Sequence, residues 1–269
     1  MSLFAAIALL AAAPTADDPD AIVVTGSREA EREERRRAAD FVRRAGVARL
    51  EPVARWIVPV CPRTIGVEAD VAAIVDTRIR EVAAAAGAPV AKAGCSANIA
   101  VVFTADGAGL ARAMLAKAPD LLAELPRPER ERVLDGDGPI RWWYNVRIET
   151  RDGMPANQGI VKHYNSSVVG TQVVRALRTA LVIVDVEKAD GTPLDAVASY
   201  AAMVALAEIR DSPPPPRDSI MELFAAETGR RDLSDRDSAL LRGVYSVPPD
   251  REAFQHRRQL VGAVRQDRN

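Results

Sequence analysis

The sequence predicts an α+β domain, a mixed sheet with helices packed on it and a small helical C-terminal part. Three observations predict it. Short runs rich in β-branched residues, such as 98–104 and 140–150, are interspersed with stretches of helical period, clearest at 67–86, where Val71, Val75, Ile79 and Val82 share one stripe. Strands and helices do not alternate one for one, because three strands fall together after residue 140, so a purely parallel sheet is not expected. Of the 269 residues, 48% are hydrophobic and 27% charged, a globular balance.

The elements follow in order. Residues 29–46 read as a helix, with Glu31→Arg35 and Glu33→Arg37 as favourable pairs four apart and the charge run forming a solvated face. Residues 53–60 form a strand that ends between Pro59 and Pro62. Gly87 stops the helix at 67–86, and a buried-type strand follows at 98–104. Asp106-Gly107-Ala108-Gly109 then opens a helix. It is a turn and N-cap, not a phosphate cradle, because Arg112 stands where the dinucleotide fingerprint requires its third glycine. Helix continues over 110–134, broken at Pro119, Pro126 and Pro128, and Asp135-Gly136-Asp137-Gly138 is a turn too short for an EF-hand loop.

The strand at 140–150 carries Trp142, Trp143 and Tyr144. Alternation sends Trp143 to one face and its two neighbours to the other, which favours packing over one continuous stacking platform. After a polar loop at 151–162, two strands are expected at 168–177 and 179–186, the second nearly all apolar and therefore central. A turn leads to Pro193 at the start of a long helix over 194–209, with Val197, Ala201, Val204 and Ala205 on its buried side. Four prolines at 213–216 break the chain, and short helices follow near 219–226, 235–244 and 251–264.

Composition excludes some functions. Lys+Arg at 36 against Asp+Glu at 37 leaves a net charge of −1, without the basic excess of a protein that neutralises phosphates, so nucleic acid is not an expected partner. The two histidines, His163 and His256, lie far apart in sequence, and no His-x-x-x-His is possible. No G-x-S-x-G elbow occurs. Cys61 and Cys95 are the only cysteines, in no C-x-x-C, and are expected to pair as a disulfide.

Residues 3–13 are an uninterrupted apolar run, too short to cross a bilayer but suited to the core of a secretory signal. A signal at 1–16, a tail over 17–50 and one domain over 51–269 are therefore expected. Export would place the mature protein in the periplasm or outside the cell, with no stable membrane insertion after cleavage. Residues 21–28, Ala-Ile-Val-Val-Thr-Gly-Ser-Arg, resemble a segment near the start of the plug of TonB-dependent outer-membrane receptors, but an edge strand or free tail is the favoured reading.

The last third carries a second resemblance. Ser219-Ile220-Met221 follows the long helix after a proline-rich loop, and Leu233-Ser234-Asp235-Arg236-Asp237 leads into a helix ending near Tyr245. These segments, with the order strands, long helix, small C-terminal part, resemble the end of a metzincin zinc protease. The resemblance implies a zincin-like domain whose active-site helix lies within Asp195–Glu208. In that family the helix carries H-E-x-x-H-x-x-G-x-x-H. Here the corresponding positions are Ala198, Ser199 and Ala202, or, one residue on, Ser199, Tyr200 and Met203. Zinc hydrolysis requires three protein ligands and a polarised water, so the resemblance implies a scaffold without that chemistry and without a metal or cofactor. The expected function is non-catalytic binding of a protein or peptide in the old cleft, with Ser199, Tyr200, Met203, Met221 and His163 as candidate cleft residues. The alternative is a hydrolase built on His163, Asp185 and Asp195. His163 is the histidine in a polar cluster, whereas His256, beside Arg257 and Arg258, is expected to be solvated.

Overall fold

The computed structural model describes residues 27–122, 125–150, 154–156, 173–210, 214–225 and 229–266. The apolar run at 3–13, most of the segment at 21–28 and His163 lie outside the described residues.

The chain runs α1 (Ser27–Arg44), β1 (Arg55–Trp56), β2 (Pro62–Ile65), α2 (Ala69–Ala86), β3 (Ile99–Thr104), α3 (Gly107–Lys117), α4 (Arg127–Asp135), β4 (Ile140–Thr150), β5 (Val173–Asp185), α5 (Leu194–Leu206), α6 (Asp235–Ser246) and α7 (Ala253–Gln266). The fold class is α+β with a mixed sheet, as the sequence indicates. The long strand β5 is its axis. One edge pairs antiparallel with β4 along the whole length of β4, and the other pairs in parallel with β1 and then β3, which continues to β2. An apolar β5 buried on both faces is what its sequence dictates: Val182, Ile183 and Val184 are all within 1% of full burial.

Helices cover both faces of the sheet. α3 and α4, with the 3-10 turn Pro119–Leu122 between them, close one face through Ala111, Val133 and Leu122, packed on Trp143 and Ile183. On the other face α2 and α5 lie side by side, backed by α1, α6 and α7. Every residue of α5 from Ala196 to Leu206 is buried. Five of these eleven are alanines, and their small side chains let α2 and the sheet approach closely. Gly87 ends α2 in the left-handed conformation at φ 84°, the stop read from the sequence.

The charged first half of α1 is exposed, whereas Ala38, Phe41, Val42 and Ala45 enter the main core and pack toward α7. Several expected boundaries move. Of the strand expected at 53–60 only Arg55–Trp56 forms a named strand, β1, paired with β5, and a separate strand, β2, begins beyond it at Pro62, the first residue of its ladder with β3. The strands at 168–177 and 179–186 are one strand as far as they are described: a bulge at Arg178, where the pairing with β4 steps from Thr179 to Leu177, takes the place of a break. The segment at 219–226 holds a single 3-10 turn, Ile220–Glu222.

His256 is the clearest correction. It is fully buried, not solvated. Its Nδ1 accepts from the Val53 amide at 3.1 Å, and Nε2 lies 2.7 Å from the Pro248 carbonyl, to which it donates as a neutral tautomer. Burial pushes its pKa below the usual histidine value. The flanking arginines point outward along the same helix and mislead a purely local reading.

Among the described residues, no helix is long and apolar enough to cross a membrane. Cys61 and Cys95 form a disulfide with Cα atoms 6.1 Å apart, tying the start of β2 to the loop before β3.

Candidate binding cleft

The site is built on β4. Trp143 turns into the core under α3 and α4, while Trp142 and Tyr144 turn toward α5, the division that alternation predicts. The Trp142 indole N–H donates to the Ile209 carbonyl at 2.8 Å. The Tyr144 hydroxyl donates to the Val204 carbonyl and accepts from the Ile209 amide at 3.2 Å. These bonds fasten the segment after α5, Ala207–Arg210, along the sheet. Burial pushes the Tyr144 hydroxyl well above its ordinary pKa, so it stays a neutral donor.

β4 is an edge strand. Among the described residues, it pairs only with β5, apart from a short return at Met154–Ala156 that covers the Ile148–Thr150 end. The Asp185 amide bonds to the Pro139 carbonyl, and this register places the backbone N–H and C=O of Trp142 and Tyr144 on the side away from β5. A row of main-chain donors and acceptors with no strand partner among the described residues is a template for another extended chain.

A charged network lies beside this edge. Glu208, whose side chain is only 6% exposed, receives both Nη groups of Arg175, one at 3.0 Å, together with Arg210 Nη2 at 2.6 Å and the Ala54 amide at 3.3 Å. Arg175 also reaches Glu51 at 2.8 Å and the Pro52 carbonyl at 2.8 Å, and Arg210 pairs with Glu129. Burial works against the Arg210 charge, but Glu208 and Glu129 outweigh it and hold the guanidinium above its ordinary pKa. Gly46 lets the chain pass close by. At φ 68° its Cβ position lies 2.2 Å from the Arg210 carbonyl, so a larger residue does not fit.

Three adjoining cavities, of about 270, 500 and 550 Å³, meet at Arg210. Two of them run beside β4, lined by Trp142 and Tyr144 in one and by Tyr144, Val146 and Arg147 in the other, while the third opens toward Arg49 and Arg257. Arginines outnumber carboxylates along the walls. Among the described residues, the groups present are cations clamped by acids beside a strand edge.

The residues expected to line a cleft go elsewhere. Ser199 is buried, accepting from Arg78 Nε at 3.0 Å and donating to Asp232 at 3.1 Å. Tyr200 packs edge-on to Trp142, ring centroids 6.0 Å apart, and against Phe224 at 5.6 Å. Met203 and Met221 are core residues. Asp185 caps backbone, accepting from the Gly107 amide at 3.0 Å and the Lys188 amide at 3.2 Å, and Asp195 is exposed 3.7 Å from Arg231. His163 cannot be placed beside them, since it lies outside the described residues. Among the described residues, no group of three His, Cys, Asp or Glu side chains is arranged to hold a metal ion.

Arg175, Glu208 and Arg210 escape the sequence reading, although one signal pointed to them. Arg175 interrupts an apolar strand, and Glu208 and Arg210 bracket an apolar Ile209 at the end of an apolar helix. Charges at core-facing positions in such runs require partners. No protein-family model matches the chain, and neither the curated proteins nor the solved structures yield a significant match.

Proposed function

We propose that this protein is a non-catalytic binder of an extended, acidic peptide segment, which adds as a strand to the open edge of β4. The observation that carries the reading is the coincidence of that edge with an arginine-lined cleft. Main-chain pairing supplies affinity without sequence demand, and the arginines select for carboxylate side chains. The zincin-like reading belongs to the same proposal. The antiparallel edge strand, the long buried helix after β5 and the Ser219–Met221 turn capped by Asp237 support it. Ala198, Ser199 and Ala202 on that helix offer no zinc ligand set. The disulfide supports an exported protein working in an oxidising space, in keeping with the apolar run at 3–13.

The test uses a dye-labelled peptide of alternating Glu and Val residues, titrated by anisotropy and then examined by mass spectrometry. Saturable binding is expected, weakening as salt rises and lost in Arg147→Glu, which reverses an exposed charge in the cleft wall. Absence of binding contradicts the proposal, and cleavage of the peptide contradicts its non-catalytic part.

A further inference from the structure

The smallest of the three cavities, about 270 Å³, differs in character from the other two. Its walls are mainly apolar and aromatic: Val133 from α4, Ile140, Trp142, Trp143 and Tyr144 from β4, and Ile209. Arg141 lies in the same wall. This residue is 4% exposed, and its Nη atoms are spent on the carbonyls of Gly138, at 3.0 Å, and Gly136. Its Nε is buried without a hydrogen-bond partner. Among the described residues, no carboxylate lies within ion-pair distance of it, and the nearby Asp185 carboxylate is committed to two backbone amides.

A buried guanidinium whose acceptors are all neutral carbonyls retains its full charge in a low-dielectric wall, which is costly unless an anion compensates. The buried Arg236 has that compensation from Glu34, and the partly buried Arg175, Arg210 and Arg178 have it from Glu208 and Glu149, whereas the partly buried Arg55 donates to the carbonyls of Val244, Tyr245 and Val247. Arg141 is more buried than Arg55, its Nε has no partner, and it is the one set beside an aromatic-walled cavity. Apolar pockets with one or two convergent polar groups are the usual form of small-molecule sites.

We infer that this cavity binds a small aromatic carboxylate, its ring between the β4 aromatics and Val133 and its carboxylate drawn to Arg141. The volume limits the ligand to a single ring system with a short acidic arm. The inference stands independently of peptide binding at the strand edge, because it requires neither the open edge nor the Glu208 network.

Phenylacetate is the probe, with phenylacetamide as its neutral isostere, each titrated into the full protein by calorimetry and by tryptophan emission, since two of the chain's three tryptophans line the cavity. The acid is expected to bind saturably and perturb the emission, with the amide at least about tenfold weaker, because a charge-assisted bond to guanidinium is lost. Leu125→Trp, which adds bulk to the cavity wall, should abolish binding, and Arg141→Met should erase the preference for acid. Equal binding of acid and amide, no saturable binding of the acid, or binding untouched by Leu125→Trp each overturns the inference. Should Arg141→Met not fold, the acid–amide comparison in the unmodified protein decides alone.

Discussion

Replacing Glu208 by Gln separates the two roles of the charge network. The carboxylate accepts four hydrogen bonds, two from Arg175, one from Arg210 and one from the Ala54 amide, in a side chain 6% exposed. Gln keeps the shape and one acceptor oxygen, but it removes the negative charge and turns an amide N–H₂ toward guanidinium donors. Breaking a buried pair by removing one partner costs about 3–5 kcal/mol. Glu51 and Glu129 still partner Arg175 and Arg210, which puts the expected loss near the lower bound, about 3 kcal/mol. In a protein of this size that corresponds to a fall in Tm of roughly 6–12 °C. The same change leaves the arginines less neutralised, so an acidic peptide should bind more tightly, by up to about tenfold. Urea unfolding followed by tryptophan emission measures the first effect, and anisotropy of the labelled Glu-Val peptide the second. An unchanged urea midpoint refutes the structural role of the network. Weaker peptide binding at preserved fold refutes the placing of the peptide beside it.

Three other outcomes follow from the fold. Removing the disulfide as Cys61→Ser with Cys95→Ser opens a loop of sequence separation 34 and should cost about 3–4 kcal/mol by chain entropy; an unchanged urea midpoint contradicts this. His256 is held below the usual histidine pKa by burial, so its contribution is complete above the unfolded value of about 6.5 and is lost as pH falls through its lower folded value. Stability should therefore decline on acidification below about pH 6.5, by at most about 1.4 kcal/mol per pH unit from this group, and His256→Gln should flatten that slope; parallel slopes exclude the assignment. Gly46→Ala forces a side chain into left-handed backbone at φ 68° and against the Arg210 carbonyl, and should cost at least about 1–2 kcal/mol in thermal unfolding. A neutral Gly46→Ala would mean that the loop floor is not held as described.

The sequence revealed most of what is local. The stripe Val71–Val75–Ile79–Val82 and the stop at Gly87 define α2, and Asp106 caps α3 by accepting from the Gly109 amide, as its spacing foretold. The opposite facing of Trp143 and its neighbours follows from period-two geometry and holds in β4. Legibility fails where partners are remote in sequence. Glu208 meets Arg175 across 33 positions and Ala54 across 154, and His256 meets Val53 across 203. No periodicity carries such pairings. Ser199, Tyr200 and Met203 occupy motif positions on a helix whose surroundings the motif does not specify. The structure shows that helix enclosed on every side from Ala196 onward. The cavities beside β4 lie instead at the sheet edge, which is visible only once the strands are ordered.

Pairing of an extended acidic chain with the edge of β4 that faces away from β5 should shield the amides along it. Amide hydrogen exchange of the protein with and without the Glu-Val peptide tests it most directly. New protection is expected at the Trp142 and Tyr144 amides, which face away from β5, with little change in α2 or α6. Protection confined to other elements, or none at saturating peptide, would contradict it.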